Sequence, residues 1–365
     1  MLYRAIGLMS GSSLDGLDMV FASFNEQGGK WNFEILNAGC YSYSEEWHHR
    51  LKNATALSAK EYLLLHSSYG HYLGEQVMKF IEANQIHYQA ALIASHGHTT
   101  FHLPALKMTA QLGDGSAIAA ITGLPVVTDL RALDVALGGQ GAPIVPIGEK
   151  LLLNDYDYFL NIGGIANISV NSEDYIAFDV CPANRVLNML ANNEGKEFDE
   201  AGKISSTGNV DEQLLAELNQ LEYYKAPFPK SLANDFGTDV VYPMIERKGI
   251  SSADALRTYT EHIAVQISKS LHDFKTNKLQ TANSKLLVTG GGAFNIFLIE
   301  RLKYHLSDLG IQIVVPDEKL VKYKEALIMA FIGVLRWRQE YNVLSSVTGA
   351  VKNSIGGALW TGQDA

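Results

Sequence analysis

Runs of apolar residues along this chain end repeatedly in glycine, and five such places set its organisation. Residues Arg4 to Phe24 (RAIGLMSGSSLDGLDMVFASF) place alternating apolar positions around a Gly/Ser turn, the pattern of two strands joined tightly. An apolar run from Ala90 to Ser95 leads straight into His96 and Gly97, as a buried strand does at its end. Gly113 to Ser116 opens a predicted helix that stops at Gly123, ahead of the strand LPVVTD. YDYFLNIGGIANISV repeats the strand, turn, strand unit, and KLLVTGGGAFNIFLIERLKYHL reads as a buried strand, three glycines and an amphipathic helix.

The first and fourth of these are imperfect copies of one hairpin, about a domain's length apart, which predicts two related halves. Between them, Glu61 to Glu82 and Tyr259 to Phe274 carry apolar residues at helical spacing. Strands alternating with helices indicate α/β layers. The Gly- and Pro-rich segment Ala132 to Gly148 is the expected crossing between halves, and Lys322 to Glu340 is a long helix able to return to the first. The expected domains are residues 1–135 plus 341–365, and residues 136–340.

Composition narrows the partners. The chain has 365 residues, with 29 Lys plus Arg against 39 Asp plus Glu, a formal net charge of -10. Nucleic-acid binding needs a clustered basic excess, so no nucleic-acid partner is expected. Phosphate can still be held locally, by backbone N–H groups, helix N-termini and a divalent cation. At 47% hydrophobic and 19% charged, the chain is globular rather than disordered. Cys40 and Cys181 are too few for a disulfide framework, which favours a reducing, cytoplasmic setting. Ser10, Gly11 and Asp15 interrupt any secretory core, and the uncharged run Ala326 to Leu335 is too short to span a bilayer, so no membrane partner is expected.

The glycine turns at Ser10 to Gly16, Gly163 to Gly164 and Gly290 to Gly292 suit a nucleotide triphosphate, because backbone approaches phosphate closely only where side chains are missing. Any one of them also reads as a plain hairpin turn. Neither a GxxxxGK[ST] loop nor a strand-linked GxGxxG fingerprint is present.

The motifs GLMSGSSLDGLD, SHGHTTFH, QLGDGSAIAAITGLPVVTDLRALDVALGGQGAPIVP, NIGGIANIS, VTGGGAFN and SVTGA follow one another over nearly the whole chain. In that order they resemble the anhydro-N-acetylmuramic acid kinases, of the sugar kinase, actin and Hsp70 superfamily. The resemblance implies an α/β fold of two actin-like (ribonuclease H-like) domains facing across a nucleotide-binding cleft. It implies ATP and Mg²⁺ as cofactors, an amino sugar as substrate, and a homodimer. ATP contacts fall on Gly11, Ser12, Ser13, Leu14, Asp15, Gly16, Leu17 and Asp18, on Gly163 and Gly164, and, by the adenosine, on Gly290, Gly291, Gly292 and Asn295. The implied reaction opens the 1,6-anhydro bridge with water and phosphorylates O6, giving N-acetylmuramic acid 6-phosphate for peptidoglycan recycling.

Water attack needs a general base, and the family's catalytic aspartate matches Asp179, which ends the run YIAFD. An aspartate there also reads as a turn or helix cap. The family pattern Asp-Thr-Gly-Pro-Gly-Asn is departed from here by Asp179-Val180-Cys181-Pro182-Ala183-Asn184, which adds two Cβ atoms and bears on sugar specificity. Cys181 has no evident partner as a nucleophile. His96, His98 and His102 resemble a metal cluster on an extended segment, whereas the family lines its sugar pocket there. Asp15, Asp18 and Asp114 are candidates for Mg²⁺ through water, with no choice among them. His96, Asp114, Arg131 and Glu325 are the expected substrate contacts, Arg131 for the lactyl carboxylate and Glu325 for a sugar hydroxyl. Arg131 reads equally as an ion-pair partner of Asp129 or Asp134, and Glu325 as an exposed helix residue. Two other readings keep the fold: a kinase for another sugar or a carboxylate, and a nucleotide-switched interaction protein.

Overall fold

The structure, a computed structural model, describes residues 1–11, 14–172, 175–228, 230–233, 235–277 and 284–362. The chain forms two compact units, Met1–Leu153 with Tyr323–Ala365, and Asn154–Lys322.

Among the described residues, the first unit holds a seven-stranded sheet. Its strands are β1 (Leu2–Ser10), β2 (Leu17–Gln27), β3 (Lys30–Tyr41), β4 (Leu92–Leu103), β5 (Met108–Leu112), β6 (Val126–Thr128) and a last strand, Ala358–Trp360. β1, β2 and β3 form an antiparallel meander, β4 lies parallel to β1 and β6 parallel to β4. Alternation in β2 sends Leu17, Met19 and Phe21 to one face, where they meet Leu65, Tyr69, Leu73, Val77 and Phe80 of the helix Ala59–Ala83. That helix starts on a reciprocal cap, Ser58 with Glu61. The helix Gly115–Thr122 is capped by Asp114 and stops at Gly123, whose φ of 67° suits glycine.

β4 does not end at Gly97 as its apolar run suggested. Gly97 takes a φ of 69° beside an irregularity in the pairing with β1, and the strand continues, pairing His98 with Leu112 of β5.

The other face of this sheet is covered by residues 323–337 of the helix Glu318–Trp337, which kinks at Tyr323. A Cβ on Gly7 would overlap the Ala326 carbonyl oxygen, and one on Gly333 would sit 2.6 Å from the Ala94 Cβ. The helix therefore rests directly on β1 and β4. Its run Ala326 to Leu335 is core, and among the described residues no helix is long and apolar enough to cross a membrane.

The segment Ala132 to Gly148, expected as the crossing between halves, folds within the first unit. Asp134 is fully buried and accepts from Gly141 N (2.7 Å) and Thr348 Oγ1 (2.7 Å). The helix Pro146–Leu152 supplies Glu149, which pairs with Lys324 at 2.7 Å with both side chains buried. These bonds tie residues 134–149 to 324–348, so the division falls at Leu153/Asn154 and Lys322/Tyr323 rather than at 135/136 and 340/341.

In the second unit the sheet order is β11-β10-β7-β8-β9, with β7 (Tyr158–Ile162), β8 (Ile165–Val170), β9 (Ile176–Pro182), β10 (Ser284–Thr289) and β11 (Ile311–Val314). Again an antiparallel meander of three is extended beside its first strand by parallel strands. The two sheets share one strand order and polarity, the actin-like, ribonuclease H-like arrangement. Leu160, Ile168, Phe178 and Val180 pack against Leu256, Tyr259, Ile263, Ile267 and Leu271 of the helix Ser252–Asn277.

Replacing Lys324 by Ala strands the Glu149 carboxylate inside protein. Breaking such a pair costs about 3–5 kcal/mol. Lys324→Ala is expected to lower the urea midpoint of unfolding by that equivalent, whereas Lys322→Ala, whose Glu318 partner is exposed, leaves it within error.

Candidate active site

In the first unit, the end of β1 brings together a polar cluster. Ser10 is buried and accepts a hydrogen bond from Tyr43 OH (2.8 Å), which also meets Tyr69 OH (2.6 Å). Its Oγ lies 3.2 Å from His98 Nδ1. The turn that follows includes Gly11, Leu14 in the left-handed region (φ 60°) and the exposed Asp15, while Ser12 and Ser13 lie outside the described residues. Gly16 is required by space, since a Cβ would come within 2.8 Å of Cys40 Sγ and of the Tyr41 carbonyl. Leu17 begins β2 and is core. Burial pushes the Asp18 carboxyl above its ordinary range, the Cys40 thiol opposes this by hydrogen bonding, and the charges of Glu325 and Asp15 push further up.

Arg131 stands beside this cluster electrostatically, because Glu325 acts on both Arg131 and Asp18. Its Nε donates to His96 Nε2 (2.9 Å) and its Nη1 to the Gly141 carbonyl (2.6 Å). Nε2 must therefore accept, which puts the imidazole proton on Nδ1, donating to the Gly97 carbonyl at 2.9 Å. Burial and the adjacent guanidinium push the His96 pKa down to about 3, and burial lowers that of Arg131 to about 10, so at neutral pH the pair is a neutral imidazole and a cation. Neither Asp129 nor Asp134 bonds to Arg131: Asp129 accepts from Thr128 Oγ1, and Asp134 holds Gly141 and Thr348. Among the described residues Arg131 Nη2 has no hydrogen-bond partner. Both ring nitrogens of His96 are engaged within the chain, one of them by Arg131. Asp114 is spent in part on its cap, with Oδ1 accepting from Ser116 N (2.9 Å) and Ser116 Oγ (2.7 Å). His102 Nδ1 meets Thr109 Oγ1 at 3.0 Å, away from His98. Glu325 is half-buried rather than an exposed helix residue, next in sequence to the buried Lys324.

In the second unit, β9 runs parallel to β7 and β10, so the ends Ile162, Thr289 and Asp179 to Pro182 share one edge of the sheet. Strand C-terminal edges are where open α/β sheets bind ligands. The Gly163–Gly164 turn is pinned from behind: Ala183 N donates to Gly164 O (2.8 Å) and Asn184 N to Gly163 O (3.0 Å). A Cβ on either glycine would meet nothing nearer than 3.6 Å within the chain, so their open faces are not filled by this unit. Gly290 and Gly292 differ, since a Cβ on Gly290 would come 2.7 Å from the Ile162 carbonyl and one on Gly292 would overlap Ile162. Gly291 is open, with Asn184 Nδ2 at 3.5 Å. Asn295 caps the helix Ile296–Leu306 by accepting from Leu298 N (3.0 Å).

Asp179 is half-buried. Its Oδ2 accepts from Leu232 N (2.9 Å) and Ser231 Oγ (3.2 Å), and its carbonyl accepts from Tyr223 OH (2.7 Å). Oδ1 has no hydrogen-bond partner among the described residues. Burial raises its pKa, and the two hydrogen bonds only partly offset this. A carboxylate held by one oxygen, with the other open and its basicity raised, is built to take a proton. Cys181 is fully buried and its thiol is pushed strongly up, away from nucleophilic use.

Sequence reasoning missed Ser231, Leu232, Tyr223, Asn161 and Asn167. Ser231 and Leu232 reach Asp179 from a distant loop and Tyr223 from the short helix Glu222–Lys225, and none of them carries a local signal. Asn161 and Asn167 were legible, as polar residues in alternation on either side of the Gly163–Gly164 turn.

Two expectations follow. Gly163→Ala should leave unfolding unchanged within about 1 kcal/mol but weaken binding of an ATP analogue, whereas Gly292→Ala should destabilise by about 1–3 kcal/mol through overpacking; isothermal titration and urea unfolding separate the two. His96 and His262 are both held neutral by burial, at about 3. Their contribution to stability is therefore complete above the unfolded histidine value of about 6.5 and lost as pH falls from there towards 3. Urea midpoints measured from pH 7 to pH 4 should decline, and His262→Gln should flatten the decline.

The whole chain has relatives. Residues 3–362 match the family Anhydro-N-acetylmuramic acid kinase. The anhydro-N-acetylmuramic acid kinase of Aliivibrio fischeri is 32% identical over 375 residues, covering 98% of this chain and 99% of that one. The protein of the same name from Francisella tularensis subsp. novicida is 32% identical over 377 residues, 97% of each chain. Among solved structures, the activator of the 2-hydroxyisocaproyl-CoA dehydratase from Clostridium difficile, with bound ADPNP, is 13% identical at a TM-score of 0.45, covering 92% of this chain and 97% of that one. Matched end to end at one-third identity, with its motifs in order, the chain belongs to the anhydro-N-acetylmuramic acid kinase family.

Proposed function

We propose that this protein uses ATP to convert 1,6-anhydro-N-acetylmuramic acid and water to N-acetylmuramic acid 6-phosphate, with Asp179 as the general base. Family membership supports the reaction, and the open, basic Oδ1 of Asp179 is the observation that supports the residue. Water attacks C1 and gives its proton to Asp179. The C1–O6 bond breaks, and the oxygen released as a developing alkoxide takes the γ-phosphoryl group of ATP as ADP leaves.

The remaining residues bind and orient. The open glycines 163 and 164, and the turn from Gly11 to Asp18, offer backbone N–H groups to phosphates without side chains in the way. Gly290 to Gly292 and Asn295 form the turn assigned to the adenosine. Arg131 offers its unpartnered Nη2 to the lactyl carboxylate, with His96 fixing the guanidinium plane. Glu325 accepts from a sugar hydroxyl.

Mg²⁺ fits the first unit through water-mediated contacts to carboxylates. Among the described residues no three His, Cys, Asp or Glu side chains are arranged to hold a metal. Asp18, whose carboxyl is raised chiefly by burial and further by the charges of Glu325 and Asp15, offers hard oxygen ligands where a cation would relieve that repulsion. When bound, the ion neutralises charge on the phosphate oxygens. A cytoplasmic homodimer completes this reading, and sedimentation analysis tests the assembly.

Asp179→Asn is expected to fold, bind ATP and lose turnover by about 10²–10⁴-fold. Because the base must be ionised, wild-type kcat/KM should fall on acidification, with its acid limb above the ordinary aspartate value of about 3.9. Mass analysis of products from ATP and the anhydro sugar checks the reaction: a sugar carrying phosphate but no added water would overturn it.

A further inference from the structure

The register of the second sheet lines up a polar row that the reaction as described does not use. Thr289 of β10 pairs with Asn161 of β7, Asn161 with Asn167 of β8, and Asn167 with Asp179 of β9. Directly paired residues project to one face of a sheet. One position back on the same strands, Val288, Leu160, Ile168 and Phe178 form the equivalent row on the opposite face, and all four are core. The face bearing the polar row is thus set by strand alternation.

Within the row the hydrogen bonds are uneven. Thr289 Oγ1 reaches Asn161 Oδ1 at 3.5 Å, and Asp179 Oδ2 takes its two donors from residues 231 and 232. Two groups are left over at neighbouring positions. Asn167 is half-buried and, among the described residues, its carboxamide has no hydrogen-bond partner, while Asp179 keeps Oδ1 open. Opposed residues have Cβ atoms about 5 Å apart. Two side chains so placed can grip one water between them, each at an ordinary hydrogen-bond length of about 2.8 Å.

We propose that Asn167 is a second catalytic residue, which holds the attacking water against Asp179; this deepens the reading above and rests on it. The Asn167 carbonyl oxygen accepts one water hydrogen and Asp179 Oδ1 takes the other as a proton, leaving a water lone pair for C1. That pair forms the new C1–O bond. The C1–O6 pair goes to O6, which bonds to the γ-phosphorus as ADP departs. An amide suits the position because it accepts a hydrogen bond without charge, so Asp179 ionises beside a neutral neighbour.

The test measures kcat, both KM values and the pH profile for Asn167→Ala and Asn167→Asp, with unfolding midpoints recorded alongside. Loss of a positioned hydrogen bond in the transition state is expected to lower kcat of Asn167→Ala by about 10²-fold, with the KM for ATP unchanged. Asn167→Asp sets a second carboxylate against the base, which should carry the acid limb of kcat/KM to higher pH. If Asn167→Ala keeps its kcat and raises only the sugar KM, or if the limb in Asn167→Asp does not move, the proposal is overturned. Should Asn167→Ala not fold, Asn167→Asp and a carbon-13 titration of the Asp179 carboxyl decide, an unshifted titration overturning the pairing. Wild-type protein that forms no product overturns the activity itself, whereas product from wild type and undiminished product from Asn167→Ala overturn the role of Asn167 alone.

Discussion

A lysine enclosed in protein must find a carboxylate, and Lys324 finds Glu149 at 2.7 Å. Much of the first unit depends on that pair. It fastens the helix Pro146–Leu152 to the helix Glu318–Trp337, which glycines at 7 and 333 let lie directly on the sheet. With Lys324 held inward, Glu325 is placed where its charge acts on both Arg131 and Asp18. A buried pair of this kind need not add net stability, because desolvation offsets attraction. Its consequence here is register: the helix cannot turn or slide without stranding a charge.

The same economy recurs around the candidate site. Asp134, fully buried, satisfies Gly141 and Thr348 and so closes the glycine-rich loop that Arg131 contacts through the Gly141 carbonyl. Arg131 in turn fixes the His96 tautomer. Among the described residues, Nη2 of Arg131, Oδ1 of Asp179 and the Asn167 carboxamide keep no hydrogen-bond partner within the chain.

Glycine has two distinct uses in this chain, which composition cannot separate. Gly7, Gly16 and Gly292 are demanded by neighbouring atoms of the chain itself. Gly163, Gly164 and Gly291 are not crowded by it, and their lack of a side chain keeps backbone accessible. Cys181 and Ala183, at positions where the resemblance implies glycines, fall in the buried part of β9 and the turn behind Gly164, where both side chains are fully enclosed. Their Cβ atoms are absorbed by the core.

Local pattern alone determined a good deal: the two hairpins, the capped helix after Asp114 and the long apolar helix near the C-terminus were legible, because strand alternation, turn glycines and helix caps act over a few residues. Family resemblance, carried by motifs in order, supplied the reaction. Tertiary structure alone decided what depends on distant partners. The unit boundary moved because Asp134 and Glu149 bond to Thr348 and Lys324, about two hundred positions away. Arg131 is paired not with a nearby aspartate but with His96 of β4, a contact that chain neighbours do not set. The row that sets Asn167 against Asp179 depends on strand register, which is fixed by which face must be buried and cannot be read from either strand by itself.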